Sequence, residues 1–86
     1  MKRIWYHQFM RKMYGYPLYT LSDVAGRRLI KNLAVVDPRI IHVSETEDDL
    51  PNAECYYIRE LKLYVCIDQT RKEYPKRKVQ KIIEEE

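Results

Sequence analysis

The side chains able to do chemistry in this chain are few and far apart. His7, His42, Cys55 and Cys66 make four possible zinc ligands, but none lies in the close pairs through which a zinc knuckle or finger grips its ion. Ser22 and Ser44 lack a nucleophile motif, either histidine reads as structural rather than as a general base, and two glycines, Gly15 and Gly26, cannot build a phosphate-cradling loop. Residues 45–54 gather Glu45, Glu47, Asp48, Asp49 and Glu54, without the alternating ligands, central glycine and closing glutamate of a calcium loop. These residues indicate no enzyme, no metal and no cofactor. The carboxylates suit a solvated loop or a basic protein partner.

The chemistry that remains is charge. Residues 1–32 hold seven Lys/Arg against Asp23 alone, a net +6, whereas 37–60 hold seven acids against Arg39 and Arg59, a net −5. The rest, 61–86, has seven bases and five acids, a net +2, so the overall +3 hides an electrically polar molecule. Two clusters could meet a phosphate backbone. The first is Arg11, Lys12, Arg27, Arg28 and Lys31, with His7 and Gln8 near it; the second is Arg71, Lys72, Lys76, Arg77, Lys78 and Lys81. Tyr74, inside the second cluster, could stack on an unpaired base or a sugar.

Elements of secondary structure must position these clusters. Trp5, Tyr6, Phe9, Met10, Met13 and Tyr14 gather on one half of a helical wheel, with Arg11 and Lys12 on the other and Gly15 as a stop, which predicts a helix over 5–14. Pro17 marks a connector. A second helix follows, with Thr20 as its cap, Tyr19 packing on Val24 across the first turn, and Leu21, Ala25, Leu29, Leu33 and Val36 inward; Asp37-Pro38 ends it and Gly26 is a possible hinge. Residues 39–45 alternate as a strand. The run 54–68 is the longest strand candidate, too long for one straight strand in a chain of 86 residues, so it bends, turns or pairs with another chain. A last helix starts at Pro75, with Val79, Ile82 and Ile83 inward and three terminal glutamates opposing the helix dipole.

Two cysteines are too few for a disulfide framework and read as buried thiols. A hairpin turning at Glu60-Leu61 would set Cys55 opposite Cys66, within reach of a cross-strand disulfide, but Glu-Leu is poor chemistry for a two-residue turn. The order of a helix, a hinged helical pair, a strand, a loop and a returning strand resembles a winged-helix DNA-binding domain. That resemblance implies a recognition helix over 27–36 and a wing over 45–54. The stretch 20–36 is short for two helices and a turn, and a wing this acidic would repel phosphates.

The expected fold is α+β in a single domain, 1–86: two N-terminal helices, a small antiparallel sheet from about 39 to 68, and a C-terminal helix around one core. With no apolar run long enough for a bilayer and no leader pattern, the expected setting is the cytoplasm. The tyrosine-rich, Lys/Arg/Glu-rich composition leans towards a hot environment. The expected function is a small nucleic-acid-associated or regulatory protein contacting phosphates through the basic clusters. The alternative is a protein-interaction module, such as an accessory or inhibitory protein or a subunit of a larger assembly, using its tyrosine face or acidic loop. A homodimer would cover the long, tyrosine-rich strand.

Overall fold

The amphipathic first segment forms helix α1 (Tyr6–Tyr14) in the computed structural model, which describes residues 1–16, 22–48, 50–71 and 75–85, with Glu85 described by its backbone alone. Tyr6, Phe9, Met10 and Tyr14 are buried. Gly15 ends the helix in the left-handed region at φ 78°, donating its N–H to the Arg11 carbonyl at 2.9 Å. The other end is capped from across the chain: the Tyr6 N–H donates to both carboxylate oxygens of Glu60, at 2.7 and 2.8 Å. A carboxylate at the positive end of a helix dipole stabilises it. It also ties α1 to the turn that carries Glu60.

Ahead of α1, Lys2–Ile4 form a short strand, β1, so the chain does not lead with two helices as expected. Three residues are too few to show a strand's alternation in sequence. Helix α2 (Asp23–Val36) is continuous through Gly26. Its cap is Ser22, whose Oγ accepts from the Ala25 N–H at 3.2 Å; Thr20, Tyr19 and Leu21 lie outside the described residues, as does the connector at Pro17. Gly26 is a point of close approach rather than a hinge. A Cβ added there would stand 2.7 Å from Leu61 Cδ2.

Strands β2 (Ile40–Ser44), β3 (Ala53–Ile58) and β4 (Leu63–Asp68) complete a sheet of order β1-β3-β4-β2. β1 runs parallel to β3 and the other pairs are antiparallel, so the sheet is mixed where an antiparallel one was expected. The run 54–68 is a hairpin turning over Arg59–Lys62. Cys55 pairs with Cys66 across it and the two are joined as a disulfide, which corrects the reading of two thiols. The obstacle seen in the sequence disappears because the connection spans four residues and asks for positive φ at Lys62 alone, 53°, not at Glu60 and Leu61. α3 (Lys76–Glu85) begins after Pro75, whose carbonyl accepts from the Val79 N–H at 3.1 Å, and it buries Val79 and Ile83.

The winged-helix resemblance does not survive. One helix occupies the place of a helix-turn-helix, and the loop expected to be a wing joins β2 to β3, which β4 separates in the sheet.

One face of the sheet, carrying Ile4, Tyr56, Ile58, Leu63, Val65 and Ile67, meets all three helices in a single core. Phe9 sets its ring edge-on to Tyr56 at 6.0 Å. On the other face the connection between β2 and β3 folds back over the disulfide. His42 Nε2 lies 3.0 Å from Asp48 Oδ2, and Cys66 Sγ lies 3.9 Å from the Asp48 carbonyl.

Where α1, α2 and β2 converge, Asp37 is 1% exposed. Tyr14 OH donates to its Oδ2 at 2.9 Å, and Arg39 donates from Nη2 to Oδ2 at 2.7 Å and from Nε and its backbone N–H to Oδ1 at 3.0 and 2.9 Å. Burial pushes the Asp37 carboxyl up, but the Arg39 and Tyr14 hydrogen bonds outweigh it and hold the group below its ordinary range. Burial first, then the Asp37 charge, pushes the Tyr14 hydroxyl up, so it stays protonated as the donor.

Asp37→Asn leaves the Arg39 guanidinium without its anion and destabilises the protein by about 3 kcal/mol in urea unfolding at neutral pH. A depressed native pKa contributes stability that is complete above the unfolded value and is lost as pH falls through the native one. The wild type therefore loses more stability than Asp37→Asn on acidification below about pH 4, as the two urea midpoints will show. Cys55→Ser/Cys66→Ser, which opens a short covalent loop, costs about 2 to 3 kcal/mol and lowers the calorimetric Tm by about 10 °C or more.

Candidate nucleic-acid interface

Because the helices lie on one side of the sheet and the acidic connection on the other, the charge blocks of the sequence become two faces. The exposed surface of the helical layer carries Arg11 and Lys12 from α1, Arg28 and Lys31 from α2, and Lys76, Arg77, Lys78 and Lys81 from α3. Among the described residues no carboxylate lies within ion-pair distance of any of these eight. α3 packs against α2, which brings the second basic cluster beside part of the first. Lys72 and Tyr74 lie outside the described residues.

Two of the expected contact residues are neutralised locally. Arg27 Nη2 is paired with Glu45 from the acidic connection, and Arg71 Nε lies 3.6 Å from Asp68. The Asp68 carboxyl is held low by the Thr70 hydroxyl and backbone N–H, and then by Arg71. The Arg27–Glu45 pairing depends on how α2 sits against the connection after β2, whereas Arg71–Asp68 is a local pair three residues apart. Lys12 stands apart, with Nζ 5.1 Å from the centroid of the Tyr56 ring.

Lys12 and Arg71 line one groove of about 430 Å³, together with Arg39, Tyr56, Glu54 and Gln69. Arg39 and Tyr56 were missed as candidates because nothing local in the sequence marks them. Glu54 accepts from Lys2 Nζ at 2.9 Å and from Gln69 Nε2 at 3.2 Å. The Tyr56 hydroxyl, then Lys2, holds its carboxyl low, and Tyr56 is pushed up to about 12 by burial and then by Glu54. Two of the three cations of this groove have anions of their own, Arg39 on Asp37 and Arg71 on Asp68, and Lys12 lies against the Tyr56 ring. A polyanion is better served by the outer helical surface.

α3 carries its charges against its own dipole. Lys76, Arg77 and Lys78 occupy the first turn, where positive charge is disfavoured, no acid accompanies them there, and no basic residue occupies the last turn. Among the described residues no ion pair offsets this arrangement.

The opposite face offers different chemistry. Arg3, Tyr57, Tyr64 and Ser44 form a row across the four strands, with the Tyr57 and Tyr64 ring centroids 4.7 Å apart and the Arg3 guanidinium 5.7 Å from the Tyr57 centroid. With Met1 and Glu47 these two tyrosines and Arg3 line a hollow of about 190 Å³. His42, weighed as a zinc ligand, faces Asp48 here, while His7 sits half-buried on α1. Among the described residues no three His, Cys, Asp or Glu side chains stand close enough to hold a metal ion, and no helix is long and apolar enough to cross a membrane.

Comparison of the chain with family models, with curated proteins and with solved structures returns no significant match.

Proposed function

We propose that the protein binds nucleic acid through the phosphate backbone, using the outer surface of its helical layer. The observation that carries this reading is α3: three cations in the first turn of a helix, each costing about 0.3 to 1 kcal/mol against the dipole, with no described carboxylate to offset them. An anionic partner at that end relieves both the dipole mismatch and the mutual repulsion. Arg28 and Lys31 on the neighbouring helix extend the surface, and Asp48 of the acidic connection is held by His42 on the other face of the sheet, while Glu45 reaches Arg27 at the margin.

A second reading is supported by the Arg3–Tyr57–Tyr64 row beside Glu47. A tilted pair of tyrosine rings next to a carboxylate suits a basic side chain of a protein partner. The homodimer was expected as cover for one long strand. With 54–68 folded into a hairpin, that motive falls away and the edges β1 and β2 are what a second copy could pair with. A cytoplasmic setting fits nucleic-acid binding, and intracellular disulfides are a habit of proteins from hot environments, towards which the composition leans.

With about six phosphate contacts, affinity for a labelled oligonucleotide falls about a thousandfold between roughly 50 and 200 mM salt in an anisotropy titration. The triple variant Lys76→Glu, Arg77→Glu, Lys78→Glu binds at least about a hundredfold more weakly and also melts higher than the wild type, because it now satisfies the helix dipole. No binding at low salt, or binding indifferent to this variant, defeats the proposal. Glu45→Gln, which frees Arg27 from an exposed pair, changes stability by less than about 1 kcal/mol and strengthens binding.

A further inference from the structure

The outward side of α2 is the least explained surface of the molecule. Val24, Arg28, Lys31 and Val35 recur at helical spacing, within a narrow arc opposite the buried Leu29, Ile30 and Leu33, with Asn32 beside them. Val24 is 71% exposed and Val35 85%, more than any other large apolar side chain among the described residues. A single exposed valine is ordinary. Two of them bracketing two cations without described anions, on one straight stripe, describe a surface apolar at its ends and positive in its middle.

The charges select the occupant. A second copy of α2 packed antiparallel would lay Val24 on Val35 but would press Arg28 and Lys31 against the same pair of cations, so self-association through this stripe is opposed. The partner must be anionic and must offer small apolar groups. Double-stranded DNA meets both conditions. Its major groove, about 12 Å wide, admits a helix; an arginine donates to both O6 and N7 of guanine, an asparagine amide pairs with N6 and N7 of adenine, and thymine presents a methyl group. From Val24 to Val35 the stripe is about 16 Å long, enough for four or five base steps. The cations of α3, packed beside α2, are placed to reach the flanking phosphates.

We infer that the outer stripe of α2 enters the major groove of duplex DNA, where Arg28 and Asn32 read base edges and Val24 and Val35 pack on thymine methyl groups. This rests on the phosphate-binding reading above and adds sequence preference and a choice of duplex over single strand.

The test is selection from a pool of duplexes with a randomised core at low salt, followed by anisotropy on the enriched duplex. A short motif containing A·T positions is expected to enrich. Replacing thymine by deoxyuridine in that motif should weaken wild-type binding about threefold per contacted methyl, and should have no effect on Val35→Ser at the position Val35 contacts. Asn32→Ala should relax one A·T position by about tenfold while leaving the salt dependence unchanged. All these side chains are exposed, so circular dichroism should show the variants folded. If binding is salt-dependent but no motif enriches, if the single strand competes equally, or if polyglutamate of equal charge competes as well as DNA, the inference is overturned. The first two results leave phosphate binding standing. No binding to any nucleic acid removes both.

Discussion

The fold depends on one buried carboxylate. Asp37 closes α2, and its two oxygens are shared between the backbone and guanidinium of Arg39, at the entry to β2, and the hydroxyl of Tyr14, at the end of α1. A charge taken out of water is tolerated only where its lone pairs are satisfied and a counter-charge is close. Here α2 ends on the acceptor while the end of α1 and the entry to β2 supply the donors, so the carboxylate is satisfied only where the three meet. Packing alone would permit small shifts of α1 along the sheet. The hydrogen-bonded anion does not.

Around that point the molecule separates its charges. Apolar residues of all three helices seek one side of the sheet, which leaves their cations outermost on that side. The acidic connection, held to the opposite side by His42 and by the backbone over the disulfide, meets the helical layer through the Arg27–Glu45 pair. Apart from that pair, no ion pair among the described residues joins the helices to the acidic connection. The positive surface is thus a product of the core rather than of any cluster taken alone.

Much of this architecture was legible in the sequence and some was not, for identifiable reasons. α1 and the body of α2 announce themselves by helical spacing, and Gly15, Asp37-Pro38 and Pro75 mark boundaries that hold. β1 has too few residues to show a pattern, and its partner is remote. The cap of α1 escaped notice because Glu60 lies 54 residues from the N–H it receives. The sequence sets the two cysteines opposite each other for a turn at residues 60 and 61, and Glu-Leu suits a two-residue turn poorly; the four-residue connection needs one left-handed residue, and Lys62 supplies it. For the candidate surface, the α3 cluster and its conflict with the dipole are readable from residue order. The neutralisation of Arg27 by Glu45 is not, because that partner is set by tertiary packing, whereas Asp68 stands only three residues before Arg71.

The parallel pairing of β1 with β3 bears on what it costs to close the sheet. Lys2 lies opposite Tyr56, so β1 pairs across a longer stretch of chain than any other strand of the sheet, while β3 and β4 pair as neighbours. Bringing together segments about fifty residues apart is entropically expensive before any contact repays it. Loop closure therefore makes the central hairpin the least costly part of the sheet to form and the β1–β3 pairing the most costly.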